Sequence, residues 1–576
     1  MHILAGTGGS IPSPPLLTCR TPSDDQSSDR SYWIGVEVLC SVRSASVTGI
    51  NGCPVLVEAH IGPGLPSFTI LGRPDDVCRE SRERVRAAIL SSGFDWPTRR
   101  ITMNLAPSTE RKVGSTLDLA IAIALLIVDE QIPAACAQDL VFIGELSLDG
   151  SVRPVQGVAP MAMSVRDASP VVTSWRDDVS QSTDVTANGA PSSRPRSSLG
   201  IVVPIANEPE ARIVHSTQIF AAKSLAQVVE CLREGVRWPD PDRYDSTSDD
   251  VPDQRSTVDL AEVRGQAAAR LGLELAASGG HHLLLVGSPG SGKTMLAQRL
   301  PGILPNLDDD TALEATLIRS AHGEWNARSG LVREPPIRMP HHTATTISII
   351  GGGSSSMRPG EVSLAHGGVL FLDELGEFSP STLDGLRQPL EEGVVRISRA
   401  QARAVLPARF ILVGATNPCP CGGGGPGSCE CDETALSKYR RRFSGPLLDR
   451  FDVRVLVARP GVDELLGVES AESTAAVRER VRVSRKRAIE RQGFLNARLS
   501  GDDLERFAPL DDSARALLRA ELEAGRLTGR GLHRVRRVAR SLADRAGVID
   551  VIDDELIASA LALRARVAPS RSVRTR

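Results

Sequence analysis

The chain has 576 residues, of which 41% are apolar and 24% charged, and its formal net charge is −3. This is the composition of a globular protein without an overall electrostatic attraction to nucleic acid or to a membrane. Aromatic residues make up only 3% and cysteines number ten, which argues against base stacking on aromatic platforms and against a disulfide scaffold.

No apolar run reaches the ~20 residues that a membrane span needs, and the N-terminus lacks the basic start and apolar core of a signal peptide. We therefore expect a cytoplasmic protein of about three or four domains with no membrane partner. Residues 1–31 are rich in Ser, Pro, Gly and Thr and are predicted to be a disordered extension. A wrongly chosen upstream start codon explains them equally well.

Residues 32–237 are predicted to form an α/β or α+β domain, because strand-like and helix-like patterns interleave there. The strands are predicted at 55–62, 66–72 and 99–107, and the helices at 80–93 and 117–128. Two polar segments are predicted to lie outside the regular structure: a Ser/Pro-rich insertion at 169–198 and an acidic linker at 238–257.

A second α/β unit is predicted at 258–460, and it contains the sharpest motif, a phosphate-binding loop of the pattern G-x-x-x-x-G-K-[ST]. A short apolar strand (282–286) precedes the loop and a helix follows it, which is the context that phosphate capture requires. Lys293 would lie between the β- and γ-phosphates of ATP, and Thr294 would offer its hydroxyl to Mg²⁺. Lysine is rare here, with five against 62 arginines. The predicted nucleotide-binding residues are Gly287, Ser288, Pro289, Gly290, Ser291, Gly292, Lys293 and Thr294.

Two further apolar strands end in polar residues. The strand that begins at Gly368 ends in Asp373 and Glu374. Asp373 is predicted to hold Mg²⁺ together with Thr294, and Glu374 to orient or deprotonate the attacking water. The strand that begins at Phe410 ends in Asn417, which is a candidate for positioning that water, although a simple turn before a proline explains it too.

Two segments of this unit are candidates for lining a pore. Residues 340–363 are Gly/Ser-rich and apolar, and residues 392–407 alternate as in a β-hairpin. The hairpin carries Arg396, Arg399 and Arg403. Arginines contact phosphates without reading sequence, so these residues are predicted to bind DNA, with a solvated hairpin as the alternative.

Four cysteines lie within thirteen positions directly after Asn417. Four thiolates in a turn-rich loop are suited to tetrahedral Zn²⁺, although the C-x-C spacing is tighter than the common C-x₂-C. The alternative is a set of thiols or a redox pair. The candidate zinc ligands are Cys419, Cys421, Cys429 and Cys431.

Residues 461–576 are predicted to be a helical connector and lid, with one charged helix at 478–492 and three more within 511–566. Seven arginines lie between residues 526 and 545, and DNA contact is assigned to them only weakly because such a run is usually a solvated helix face.

The order of these motifs resembles the AAA+ ATPases. More narrowly, the segments PHHTATT (340–346), GGG (351–353), RPGEVSLAH (358–366) and SGPLLDRFD (444–452) resemble the Mg-chelatase-like subfamily. From residue 32 onward the chain resembles the ComM/YifB family. The resemblance implies an AAA+ P-loop NTPase core, a parallel sheet flanked by helices, with a helical C-terminal lid. It also implies a preceding Lon-like α+β domain of the ribosomal S5 domain 2 type.

The resemblance also implies two arginine roles. Arg450 matches the arginine finger that reaches the γ-phosphate of a neighbouring subunit, and Arg530 matches the second sensor of the lid, with Arg534 as the alternative. A finger that acts between subunits implies a ring, expected to be a homo-hexamer.

The segment GELSLDGSVRPV (144–155) resembles the Lon-like domain, whose proteolytic members use a Ser-Lys pair. Ala159 stands where that lysine is expected, and Ser115 lacks a lysine partner in the motif. The domain is therefore predicted not to be a peptidase.

The resemblance implies an ATP- and Mg²⁺-dependent ring motor on DNA, acting in branch migration during recombination or natural transformation. One alternative is a chelatase-type motor that drives a protein partner in metal insertion. An ATP-dependent protease is the less favoured alternative, because Ala159 replaces the lysine.

Overall fold

The computed structural model describes three stretches of the chain: 38–168 without 110 and 113, 199–239 without 216, and 258–565 without 327–329, 354–356, 400–401, 424–428, 443–444, 462–470 and 549. The predicted extension (1–31), the predicted insertion (169–198) and residues 240–257 of the predicted linker lie outside the described residues. No helix in the described part of the chain is long and apolar enough to cross a bilayer.

The first two stretches form a mixed seven-stranded sheet in the order β3-β4-β2-β1-β5-β8-β9. Its elements are β1 (Val38–Thr48), β2 (Asn51–Gly62), β3 (Ser67–Leu71), α1 (Asp76–Ser91), β4 (Arg100–Ala106), α2 (Asp118–Val128), β5 (Leu140–Phe142), β6 (Glu145–Leu146), β7 (Val152–Arg153), α3 (Val158–Ala168), β8 (Gly200–Pro204), α4 (Glu208–Ala211), β9 (Gln218–Ala222) and α5 (Leu225–Glu234).

The strands and helices predicted in this region are confirmed, with α2 buried along its whole length because nearly all its side chains are apolar. Strand β1 was not predicted, although it pairs with β2 over eleven residue pairs. Four of its eleven residues are Ser or Thr, so its apolar pattern is weak. Its position is set by the hairpin that it forms with the adjacent β2, in which Thr48 pairs with Asn51.

The third stretch begins with a five-stranded parallel sheet in the order β11-β14-β17-β10-β18. Its elements are α6 (Ala267–Gly279), β10 (Leu283–Gly287), α7 (Lys293–Ile303), α8 (Asp309–His322), β11 (Ile337–Arg338), α9 (Thr346–Ile350), β12 (Gly351–Gly352), β13 (Arg358–Pro359), α10 (Glu361–Leu364), β14 (Val369–Leu372), α11 (Pro380–Gly385), α12 (Arg387–Glu392), β15 (Val394–Arg399), β16 (Ala402–Pro407), β17 (Ile411–Thr416), α13 (Glu433–Arg442), α14 (Gly445–Leu448) and β18 (Val453–Val457). The central strands are continuous apolar runs because helices cover both faces of a parallel sheet.

The chain ends in a helical lid. Its helices are α15 (Thr474–Gln492), α16 (Gly501–Phe507), α17 (Asp512–Glu523), α18 (Gly529–Ala546) and α19 (Asp554–Ala562). The three helices predicted within 511–566 are therefore confirmed. Apolar residues of the lid, among them Val481, Val535 and Leu542, join one core with Leu283 of β10 and Val455 of β18, so burial of apolar area holds the lid on the sheet.

Helix α4, beside the seven-stranded sheet, and helix α8, beside the parallel sheet, meet through a polar contact. Glu210 of α4 is 3% exposed and accepts hydrogen bonds from the hydroxyl of Ser320 on α8 at 2.5 Å and from the amide of Asn207 at 2.8 Å. Burial raises the pKa of this carboxyl, and the hydrogen bonds oppose the rise. Beside it, Gly157 donates its N–H to the carbonyl of Ser320 at 3.1 Å, so α8 is anchored to the first domain.

Candidate active site

The phosphate-binding loop joins the buried strand β10 to helix α7. Gly290 and Gly292 have φ angles of +74° and +88°, values that glycine adopts without strain because it has no Cβ. A Gly-rich loop that leads into a helix N-terminus in this way favours anions at the start of α7. The observed loop therefore fits the triphosphate that its sequence predicts.

Lys293 is the first residue of α7, and its Nζ points back over the loop. It donates to the carbonyls of Gly287 at 2.9 Å and Ser288 at 3.0 Å, and to Oδ1 of Asn417 at 3.3 Å. Burial lowers the pKa of Lys293, and the nearby carboxylates of Asp373 and Glu374 oppose this. The ammonium group thus lies among the three motifs that the sequence places far apart along the chain.

The two acidic residues follow β14 at the same edge of the sheet. Thr294 donates its hydroxyl to Oδ2 of Asp373 at 2.7 Å, which places two oxygen ligands of the kind Mg²⁺ prefers next to the phosphate loop. Glu374 has φ of +49° and a side chain that is 59% exposed. Its carboxylate is therefore open to water beside the phosphate loop.

His342 is a neighbour of Glu374 to which sequence reasoning assigned a structural role in the segment 340–363, not a place at the ATP site. Its Nδ1 lies 3.3 Å from Oε2 of Glu374. The parallel register that pairs Arg338 with Leu370 brings residue 342 alongside residue 374 when it is continued beyond the strands. The pairing of β11 with β14 was the missing information, because β11 is only two residues long and leaves no periodic signal.

A second feature is a cavity of about 690 Å³ lined by many cationic side chains and three acids. Burial, together with the like charges of Arg534 and Arg530, lowers the pKa of Arg450. Arg450 forms an ion pair with Glu391, and Arg534 forms one with Asp452 at 3.4 Å. The charged lining residues are Arg409, Arg450, Arg498, Arg530, Arg534, Arg537, Glu391, Glu392 and Asp452.

This arginine-lined cavity lies at the opposite end of the sheet from the phosphate loop. The loop follows the last residue of β10, whereas Arg450 and Asp452 precede β18, whose first residue is paired with Leu283 at the start of β10. Strand β10 has five residues, which at ~3.3 Å per residue separates its ends by roughly 15 Å. None of the residues from Gly287 to Thr294 lines the cavity.

The predicted hairpin is confirmed by the antiparallel pairing of β15 with β16. Its buried face carries Val395, Ile397, Ala404 and Leu406, and its opposite face exposes residues that include Arg396 and Arg403. Arg396 also pairs with Glu392 at 2.9 Å. Arg399 forms the last described backbone pair of the hairpin, with Ala402.

The four predicted zinc ligands come together, with all four sulfur atoms within 4.8 Å of one another. The distances are 3.3 Å between Cys419 and Cys421, 3.8 Å between Cys421 and Cys429, and 3.7 Å between Cys429 and Cys419. Tetrahedral zinc with Zn–S bonds of ~2.3 Å separates its sulfurs by ~3.8 Å, whereas a disulfide holds them at ~2.05 Å. The sulfur positions therefore fit a Zn²⁺ site.

The cysteine loop also contacts the phosphate loop. A Cβ added at Gly422 would come within 2.7 Å of Cδ of Pro289. Hydrogen bonds from the backbone N–H groups of Gly423 and Glu430 lower the pKa of Cys421 to about 6, so its thiolate is stabilised by the loop itself.

In the first domain, the residues relevant to proteolysis have other partners. The Ser115 hydroxyl donates to the carboxylate of Glu145, and Lys112 donates to the carbonyl of Pro107. Ala159 is fully buried, and its N–H donates to Oε1 of Glu210 at 3.1 Å. The serine therefore faces an acid, not the lysine amine that would activate it.

Comparison with known proteins matches three parts of the chain to models of magnesium chelatase. Residues 259–465 match subunit ChlI, residues 57–172 match the model of subunit ChlI of Mg-chelatase, and residues 471–564 match the C-terminal part of ChlI.

Full-length relatives cover the same region. An uncharacterised protein of Mycobacterium tuberculosis is 41% identical over 90% of this chain and 97% of its own. The uncharacterised protein YifB of Escherichia coli is 37% identical over 92% and 97%. Competence protein ComM of Haemophilus influenzae is 36% identical over 92% and 98%.

Proposed function

The chain belongs to the Mg-chelatase-like family of AAA+ ATPases, and from this premise we propose that it is a ring-forming motor that uses ATP hydrolysis to move along or remodel DNA. Membership of the family supports ATPase activity. The observation that carries the proposal is the separation of phosphate loop and arginine-lined cavity to opposite ends of one parallel sheet. Each chain then carries one half of each of two different ATP sites. Each site is completed by the other half on a neighbouring copy.

At the loop end, the residues divide the work by their chemistry. The N–H groups between Gly287 and Thr294 bind phosphate oxygens, and Lys293 neutralises charge on the β- and γ-phosphates. Thr294 and Asp373 would hold Mg²⁺, which when bound offsets the negative charge of the phosphates. Glu374 accepts a proton from the attacking water, and Asn417 orients that water.

At the cavity end, Arg450 and the lid arginines Arg530 and Arg534 would bind the triphosphate of a neighbouring copy. Burial and the like charges of the other arginines lower the pKa of Arg450, and the triphosphate would relieve that repulsion. In a cyclic assembly, the phosphate loop of each copy faces the arginine-lined cavity of the next copy, so every ATP site is complete. We propose a homo-hexamer.

The proposed DNA contact is the β15–β16 hairpin, through Arg396, Arg399 and Arg403, and Arg396 and Arg403 lie on its exposed face. The apolar face of this hairpin is buried against the core, so the arginine-bearing face is held firmly outward. Copies of this face around a ring would form a basic channel for the phosphate backbone. We propose branch migration in recombination or natural transformation as the setting, and the name of the Haemophilus relative, a competence protein, supports the link to competence.

Reversing the charge of the hairpin is expected to weaken DNA binding. Arg403→Glu replaces an exposed cation by an anion in every copy, so we expect DNA affinity to fall at least tenfold and the salt dependence of binding to become shallower. Fluorescence anisotropy with forked DNA at two salt concentrations measures both quantities. Arg519→Glu makes the same change on an exposed lid residue and serves as the control. Equal DNA affinities of the two variants would exclude the hairpin as a DNA contact.

The competing function is a chelatase-type motor that acts on a protein partner for metal insertion, and it is favoured by the match to magnesium chelatase models. ATP turnover with and without forked and four-way DNA, at two salt concentrations, separates the two. Stimulation by DNA supports the motor on DNA, whereas turnover that ignores DNA and responds to a protein partner supports the chelatase type. Degradation of casein would support a protease, against which Ala159 and the Ser115–Glu145 contact argue.

We also propose that Cys419, Cys421, Cys429 and Cys431 bind a structural Zn²⁺ that stiffens the loop against Pro289. The purified protein is expected to contain about one zinc ion per chain, measured by atomic emission spectroscopy. Cys429→Ser is expected to lose the metal, and Cys136→Ser, outside the cluster, to retain it. A metal-free protein with titratable thiols or a cysteine disulfide would contradict the site.

A further inference from the structure

A buried chain of hydrogen bonds joins the sheet to the lid beside the arginine-lined cavity. His281 is 0% exposed. Its Nδ1 lies 3.0 Å from Oδ2 of Asp452, and its Nε2 lies 2.7 Å from Oγ of Ser541. Asp452 precedes β18 and Ser541 belongs to α18, so one imidazole ring connects the parallel sheet to the lid.

The donors and acceptors of this network are complementary. The carboxylate of Asp452 accepts the Nδ1–H of His281, and a second hydrogen bond joins Nε2 to the hydroxyl of Ser541. The same hydroxyl also lies 3.2 Å from the carbonyl of Arg537 in its own helix. Oγ of Ser541 in turn accepts an N–H of Asn496 at 3.0 Å. A buried polar network in which each member is satisfied is rigid, because breaking one bond leaves an unpaired group in a low dielectric.

The order Ser-His-Asp resembles a hydrolase triad, but the surroundings exclude that role. Ser541 is 1% exposed and lies within a helix, and neither Ser541 nor His281 lines the cavity. A Cβ added at Gly279 would come within 2.4 Å of Oγ of Ser541. No room for a substrate remains beside the hydroxyl.

The same network reaches the arginines of the cavity. The other carboxylate oxygen of Asp452, Oδ1, pairs with Arg534 at 3.4 Å, and Asp452 follows Arg450 by two residues. Along α18, Arg530, Arg534, Arg537 and Ser541 are spaced by four, three and four residues, so they share one helical face. The bond to Ser541 therefore fixes the rotation of the face that carries the arginines.

The backbone next to His281 is held in place as well. The carbonyl of the following residue, His282, accepts the N–H groups of Asp452 and Val453, each at 3.1 Å. The ring Nδ1 of His282 accepts the N–H of Leu412 at 3.0 Å. Burial lowers the pKa of His282 to about 4, which keeps it a neutral acceptor. His281 thus extends from a rigid junction of three strands.

We propose that His281 and Ser541 are positioning residues: the Asp452–His281–Ser541 chain holds α18 in the rotation that presents Arg530 and Arg534 beside Arg450. This inference rests on the proposed function, in which the cavity receives the triphosphate of a neighbouring copy. The phosphate loop is roughly 15 Å away. Loss of these hydrogen bonds therefore lowers kcat without weakening the binding of ATP to the phosphate loop.

The test is Ser541→Ala, which removes one oxygen and adds no bulk. We expect kcat to fall about tenfold, since displacements near 1 Å cost up to ~10²-fold, with KM for ATP and the mass of the assembled ring unchanged. Ser484→Ala is the matched control, because Ser484 is also buried. Within the described part of the chain, its hydroxyl bonds only the carbonyl of Arg480 in its own helix, at 2.8 Å. Equal kcat in the two variants overturns the proposal.

A double-mutant cycle separates positioning from general stability. If Ser541 acts through Arg534, Ser541→Ala lowers kcat less than twofold in an Arg534→Ala background; the same tenfold loss in both backgrounds overturns the proposal. His281→Gln retains a donor and an acceptor and is expected to keep more turnover than His281→Leu. Higher turnover in His281→Leu than in His281→Gln would overturn the positioning role, even if Ser541→Ala fails to assemble.

The outcome for Arg450 distinguishes this proposal from the one on which it rests. Unchanged turnover in Arg450→Ala removes the site shared between copies, and the positioning role with it. Loss of turnover in Arg450→Ala together with normal kcat in Ser541→Ala removes only the positioning role.

Discussion

Glu374→Gln is expected to lower ATP turnover by about 10²–10⁴-fold, the usual contribution of a general base, while nucleotide binding persists. The amide keeps the shape of the side chain but cannot accept a proton from water. The carboxylate is open to solvent beside the Thr294–Asp373 pair, so it is the group best placed to meet the attacking water.

Phosphate release and the binding of a fluorescent ATP analogue measure the two effects of this substitution separately. Glu377→Gln, an exposed glutamate on the turn that follows, is the control and is expected to leave turnover within twofold of the native protein. Lys293→Ala is expected to abolish turnover as well, but by loss of binding, because it removes the cation that faces the phosphates. Normal turnover in both Glu374→Gln and Lys293→Ala would remove the assigned site.

Arg450→Ala is expected to reduce turnover by about 10³-fold or more, as the loss of an arginine finger does in GTPases. The side chain is 12% exposed and lies at the end of the sheet remote from its own phosphate loop. Binding of ATP to that loop is therefore expected to persist, and the substitution is expected to affect the copy next to it in the ring.

Mixing two inactive variants tests this directly. In a ring assembled from Arg450→Ala and Lys293→Ala chains, some interfaces combine an intact phosphate loop from the first with an intact Arg450 from the second. We expect turnover to recover partly on mixing, as followed by phosphate release. An arginine that served its own chain would give no recovery, and Arg515→Ala, on the exposed side of the lid, is the control for loss of positive charge.

Local patterns accounted for the elements that carry the ATP motifs. The strand that became β10 is a short apolar run between turn signals, and the chemistry of phosphate capture needs glycines, a lysine and a hydroxyl in fixed order. The helices of the lid were likewise predicted within 511–566, because apolar periodicity along a helix depends only on neighbouring residues. The four cysteines were also found from their spacing, and their sulfurs do meet.

Contacts between distant segments were beyond such patterns. Nothing in the neighbourhood of His342 signals that it faces Glu374, because the contact depends on the register of a two-residue strand. His281 is one of ten histidines, and its partners lie 171 and 260 residues further along the chain.

The amino-acid order alone predicted a nucleotide-binding loop, since such a loop is built from consecutive residues whose backbone freedom and charge can be read directly. Only the tertiary structure decided that Arg450, Arg530 and Arg534 share one cavity and that this cavity faces away from the chain's own loop. The physical reason is the parallel sheet, which gathers the carboxyl ends of its strands at one edge and their amino ends roughly 15 Å away. The order of the strands depends on packing between distant segments, so local sequence patterns do not reveal it.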